Sequence, residues 1–192
     1  MSGPRPTNRV CGDCTACCRI LPIVELNKKA HEKCTHQRFG RCSVYEKRPT
    51  PCRLWSCQWL REEDTKELGR PDRSHYVIDM VSDYVGVQDA NTKEFRKIAA
   101  VQVWVDKRFP DAHRDPALRD YLNRRAEKDG MVAIIRFGSD NALVLLAPAF
   151  TGTDEWREHV SEMHLREPDA FDKLKHVRTM YEQVDAAAFR KP

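Results

Sequence analysis

The chain has 192 residues, enough for one ordinary domain or for a small metal-stapled module joined to a modest core, and all eight of its cysteines lie between Cys11 and Cys57. Residues 1–60 carry 11 Lys and Arg against 4 Asp and Glu, a balance of +7, while the remainder carries 22 against 25, or −3. The longest apolar run, Ala142 to Phe150, is nine residues and contains Pro148, which excludes a membrane-spanning helix of roughly 20 residues.

The polar, proline-containing stretch Met1 to Val10 has no apolar signal region, so the expectation is a reducing, cytoplasmic setting. Clustered cysteines in such a compartment are more often metal ligands or redox groups than disulfides. The first cluster, Cys11-Gly-Asp-Cys14-Thr-Ala-Cys17-Cys18, packs four thiols into eight residues. Gly12 permits the tight turn by which a C-x2-C pair chelates one metal. Cys11, Cys14 and Cys17 reproduce the first three positions of a ferredoxin-type run, although the fourth cysteine of that run is missing at its spacing. If this segment is extended, Cys17 and Cys18 point to opposite faces and serve different sites. Cys34, Cys42, Cys52 and Cys57 supply long-range ligands that would close the module. Two four-sulfur sites, or one four-cysteine cluster beside a second ion or structural thiols, both satisfy this pattern.

The pattern C-x2-C-x2-CC is followed by Gly40-x-Cys42-x-x-Tyr45, by Arg48-Pro49-x-x-Cys52-Arg53, and by a last cysteine, Cys57. In these elements residues 11 to 60 resemble the YkgJ-like cysteine-cluster family, a zinc- or iron-chelating domain. The resemblance implies metal binding, and since some relatives, flagellin lysine methylases among them, carry an iron–sulfur cluster in this domain, it favours iron–sulfur.

Other residues of the module have plainer readings. His31 and His36 flank Cys34, but eight sulfurs are already present, so a solvated or outer role is expected. Arg48 and Arg53 bracket Cys52 and are placed to compensate bound thiolates, while Lys28, Lys29 and Lys33 recur at helix-like spacing and are expected to reach solvent. Tyr45, Trp55 and Trp59 are expected to pack or to shield the metal. Because four thiolates on one Zn²⁺ leave a charge of −2, two such sites would offset more than half of the local +7, and a specific nucleic-acid surface is disfavoured.

Arg61 to Ser74, charged and containing Gly69 and Pro71, reads as a linker or short helix. Strands are predicted at Tyr76 to Val81, where Tyr76, Ile78 and Met80 alternate with Val77, Asp79 and Val81, at Tyr84 to Val87, and at Ile98 to Val105. Asp115 followed by Pro116 starts a helix that carries Leu118, Tyr121 and Leu122 on one face and stops at Gly130. Met131 to Phe137 and Ala142 to Ala147 form a hairpin about Gly138-Ser139-Asp140-Asn141. A final helix is expected from Pro168, on the spacing of Phe171, Leu174, Val177, Tyr181 and Val184.

The predicted class is therefore α+β: a cysteine-cluster metal-binding module over 1–60, a connection over 61–74, and a small antiparallel sheet with helices over 75–192. No phosphate loop, dinucleotide fingerprint or nucleophile elbow occurs after residue 75, and His75, His113, His159, His164 and His176 share no motif, so no reaction or catalytic residue is assigned. The predicted function is metal binding. The cofactor is an iron–sulfur cluster, of the four-iron 4Fe-4S kind, in a redox or accessory role, with the α+β part docking an unidentified protein partner or substrate. The alternative is a zinc-stapled module that binds protein or nucleic acid.

Overall fold

The computed structural model describes residues 7–79, 81, 83–88, 92–162 and 179–181. The cysteine-bearing third folds into short pieces: α1 (Ala16–Ile20), the hairpin strands β1 (Gln37–Arg38) and β2 (Arg41–Cys42), α2 (Thr50–Leu54) and α3 (Gln58–Arg61). A turn of 3-10 helix, Glu63–Thr65, and the short helix α4 (Pro71–Ser74) then lead into the sheet, with Thr65 and Leu68 buried between them.

β3 (Tyr76–Ile78), β4 (Asp83–Gln88) and the 11-residue β5 (Phe95–Val105) come next, then α5 (Pro116–Asp129), β6 (Val132–Arg136), β7 (Asn141–Leu146), α6 (Pro148–Thr151) and β8 (Arg157–Glu162). A strand β9 (Thr179–Tyr181) completes a seven-stranded sheet in the order β8-β7-β6-β5-β4-β9, with β3 also on β5. β6 pairs with β5 over Ala100 to Trp104. β4 pairs with Phe95 to Ala100, and β3 with Val103 to Val105. β3 and β4 therefore lie end to end along the edge of β5 opposite β6.

The fold class is α+β as expected, but the sheet is mixed: β5 and β6 run parallel, as do β4 and β9. The physical reason for the first is α5, which carries the chain from the end of β5 back to the start of β6, a crossover that only a parallel pair needs. Asp115 caps that helix, its carboxylate accepting from the Ala117 N–H at 3.0 Å, and Gly130 ends it in the left-handed conformation at φ +63°. The helix expected from Pro168 falls mostly outside the described residues, and Thr179–Tyr181 at its centre is strand.

Alternation divides the core. Val101, Val103, Val105, Ala133, Ile135, Leu143 and Leu145 face Leu118, Tyr121 and Leu122 of α5. The intervening Ala100, Val132, Ile134, Ala142, Val144 and Leu146 form a second cluster with Val85, Val87 and Phe150. Trp104 and Val77 extend a sheet surface onto which Ala16, Ile20 and Leu21 of the cysteine-bearing third pack. A buried ion pair lies near Trp104: Arg136 Nη2 donates to Asp83 Oδ2 at 2.8 Å and Nε to Gln102 Oε1 at 2.6 Å, with the guanidinium 5.3 Å from the Trp104 ring centre. Among the described residues no helix is long and apolar enough to cross a membrane.

Candidate metal centre

All eight thiols line one cavity of about 420 Å³: Cys11, Cys14, Cys17, Cys18, Cys34, Cys42, Cys52 and Cys57. None is in a disulfide. The convergence follows from how each short piece is tied down. Gly12, at φ +55°, turns the chain so that the Cys14 N–H donates to the Cys11 carbonyl at 3.0 Å and Cys11 Sγ lies 3.6 Å from the Cys14 carbonyl. Arg70 holds the same turn from outside, its guanidinium bridging Asp13 at 2.7 Å and Asp72 at 2.6 Å.

The segment bearing Cys17 and Cys18 is helical, not extended, so the two side chains leave α1 about 100° apart instead of on opposite faces. The Cys34 N–H donates to the Cys18 carbonyl at 2.9 Å, and the β1–β2 hairpin places Cys42 opposite Gln37, whose own N–H donates to the Cys34 carbonyl at 3.0 Å. The two ends of the region meet as well. Thr7 Oγ1 donates to the Leu60 carbonyl at 2.6 Å, and Arg9 Nη1 reaches the Trp59 carbonyl at 2.5 Å and Thr65 Oγ1 at 2.8 Å. Cys11 and Cys57 are thereby brought to one end of the cavity.

The thiols perturb one another in pairs. A hydrogen bond from Cys14 holds the Cys11 thiol below its ordinary value against burial, and donating that bond, with burial, drives Cys14 far up. In the second pair, hydrogen bonding to Cys17 brings Cys18 down to about 7, helped by Lys28 and Arg48, while Cys17 is raised by the same bond and by burial. Burial pushes Cys57 up to about 11 and raises Cys52. In each pair the hydrogen bond favours ionisation of one thiol, Cys11 or Cys18, and opposes it in the other.

Several residues around the thiols come from outside the cysteine motifs. Trp104 and Val77 of the sheet form part of the wall, with Asp79, which accepts from Trp55 Nε1 at 2.8 Å. Trp104 is only 7 % exposed, and its indole N–H has no partner among the described residues. Arg48 Nε is likewise buried without a partner, although its guanidinium stacks 3.9 Å over the Tyr45 ring. Lys28, expected in solvent, is 7 % exposed, because its ammonium turns inward onto the carbonyls of Leu21, Lys29 and Arg19. Arg53 stays exposed, donating to Thr50 Oγ1 at 3.2 Å. His36 lines the cavity and His31 does not. Trp59 packs between core clusters and donates to the Leu68 carbonyl at 3.1 Å. Of the scattered histidines, His75 stacks on Phe109 and His113 is buried beside Glu158, while His164 and His176 lie outside the described residues.

This donor set fits a thiolate-ligated metal in kind. Eight free thiols face one cavity, two buried N–H donors border it without acceptors, and Lys28 and Arg48 bring positive charge to Cys18. Among the described residues, no three His, Cys, Asp or Glu side chains are gathered as they would be around a single ion. Comparison with family models, with curated proteins and with solved structures finds no match. The resemblance to the YkgJ-like family therefore rests on the motifs quoted above.

Proposed function

We propose that this chain is a metal–thiolate protein whose cysteine cavity holds an iron–sulfur cluster. The observation that carries the reading is the convergence of all eight thiols, drawn from five separate short segments, on one cavity. Buried thiols kept only for packing would have no reason to share a single space. A bound cluster would supply one-electron transfer. The chain's own groups would set its environment: Trp104 Nε1 and Arg48 Nε are donors suited to thiolate or sulfide sulfur. Leu21, Ile23 and Leu60 form an apolar part of the cavity wall.

The second reading is structural zinc, favoured by the Cys11–Cys14 knuckle and by the shortness of every element around it. Such a zinc-stapled module would serve protein or nucleic-acid binding. Anaerobic expression followed by metal analysis, acid-labile sulfide assay and visible absorption separates the two. Iron with matching sulfide and a brown colour is the expected result. Stoichiometric zinc without sulfide transfers the proposal to zinc, and protein free of both metals overturns the metal–thiolate reading.

A further inference from the structure

The eight thiols are more than one cluster or one ion needs, and the backbone sorts them. The Gly12 turn sets Cys11 beside Cys14. Cys14 and Cys17 pack against the same apolar cluster that contains Cys57, a surface provided by Val77 and Trp104. The tie between the Arg9 segment and residues 59–65 brings Cys11 to that end too. On the other side, the hydrogen bond from the Cys34 N–H to the Cys18 carbonyl joins those residues, and the β1–β2 hairpin carries Cys42 back beside them. Cys52, on α2 and lining the same cavity, is the thiol left to complete this group. The divergence of Cys17 and Cys18 on α1, about 100° for consecutive helical residues, lets each lean toward a different group. They are consecutive on α1, so the two groups abut.

We propose that on taking up metal the thiols of the cavity draw together into two adjoining four-thiolate sites, one formed by Cys11, Cys14, Cys17 and Cys57 and the other by Cys18, Cys34, Cys42 and Cys52, with the Cys17–Cys18 step as their common wall. Each set supplies the four thiolates that one tetrahedral Zn²⁺ or one four-iron cluster requires. The two surroundings differ. The first site rests on the apolar sheet surface at Val77 and Trp104, and the second sits beside the buried Lys28. This division rests on the metal–thiolate reading and is tested separately from it.

The test uses the full chain, purified anaerobically with its metal, as wild type, Cys14→Ser, Cys42→Ser, Cys42→Ser/Cys52→Ser and Cys14→Ser/Cys42→Ser. Wild type without metal overturns the metal–thiolate reading and the division with it. Given metal in the wild type, each single variant should lose half of it, the Cys42/Cys52 pair no more than half, and the Cys14/Cys42 pair nearly all. Equal and complete loss from both single variants overturns the division alone. A measurement on the wild type guards against variants that fail to fold: stepwise chelation followed by alkylation and peptide mapping. The thiols should become reactive in two sets of four, with adjacent Cys17 and Cys18 released in different steps. Release of those two together, or of all eight in one step, overturns the division while leaving metal binding intact.

Discussion

Between Thr7 and Leu60 no regular element exceeds five residues, whereas between Tyr76 and Glu162 the chain builds an 11-residue strand and a 14-residue helix. The second region satisfies its backbone in a sheet and buries apolar residues on both faces of it. The first contributes Ala16, Ile20 and Leu21 to a cluster whose other members include Val77 and Trp104 of the sheet, and lines a cavity with its eight thiols. A stretch with so little apolar burial needs another source of folding free energy, and in small metallo-domains that source is metal binding. Apolar surface holds one half of the molecule, and on the proposed reading thiolate coordination holds the other.

The sharpest way to break this comparison is to remove the proposed metal. If bound metal contributes on the order of 10 kcal/mol to the cysteine region, as in small zinc modules, chelation under reducing conditions should abolish amide-exchange protection across residues 11–60. Protection in β5, α5, β6 and β7 should persist. Equal loss in both regions would mean that the sheet depends on the metal as well, and unchanged protection in both would mean that the short elements hold themselves.

A second experiment strikes the sheet alone. Asp83→Ala removes the carboxylate from a fully buried guanidinium whose partners also include Gln102. Loss of one partner of a buried pair costs about 3–5 kcal/mol, read as a lower urea midpoint, while replacing both partners with apolar residues of similar volume costs far less. Metal content should not change in either variant if the two halves are held by different forces. A parallel fall in bound metal would show that the pair near Trp104 supports the cavity.

What was legible in the sequence divides along the same line. Helix α5 was readable end to end, because Asp115, Pro116 and Gly130 are local signals and Leu118, Tyr121 and Leu122 mark its buried face. The hairpin of β6 and β7 was readable from its turn residues. The parallel pairing of β5 with β6 is a tertiary property that alternation does not encode, and β8 escaped because Arg-Glu-His-Val-Ser-Glu is an edge strand made polar. Cysteine spacing identified the thiols that share the cavity, but no motif pointed to Trp104, Val77 or Asp79, some 20 to 90 residues downstream. The burial of Lys28 was equally hidden: only the fold shows three carbonyls converging on its ammonium.

The smallest expected effect lies at the joint between the two regions. Asp106 follows β5, its N–H donates to the His75 carbonyl at 2.8 Å, and its carboxylate accepts from Arg108 at 2.6 and 3.0 Å. Arg19, next to Cys18, reaches the same carboxylate from the cysteine region at 3.8 Å. The Arg108 hydrogen bonds, with the charges of Arg108 and Arg19, lower the Asp106 carboxyl to about 2 from an ordinary 3.8. A lowered carboxyl value means that the folded state favours the ionised form, so the stabilisation is complete above pH 3.8 and is lost as pH falls toward 2. Because Arg108 is half exposed, solvent screening limits the effect to on the order of 1 kcal/mol. Asp106→Asn should therefore flatten the acid limb of the stability curve by that amount relative to wild type, and its offset from wild type should stay constant from pH 5 to 7. An unchanged acid limb would mean that the Arg19 and Arg108 contacts contribute nothing to the joint. A variant that also sheds metal at neutral pH would place Asp106 among the groups that hold the cavity closed.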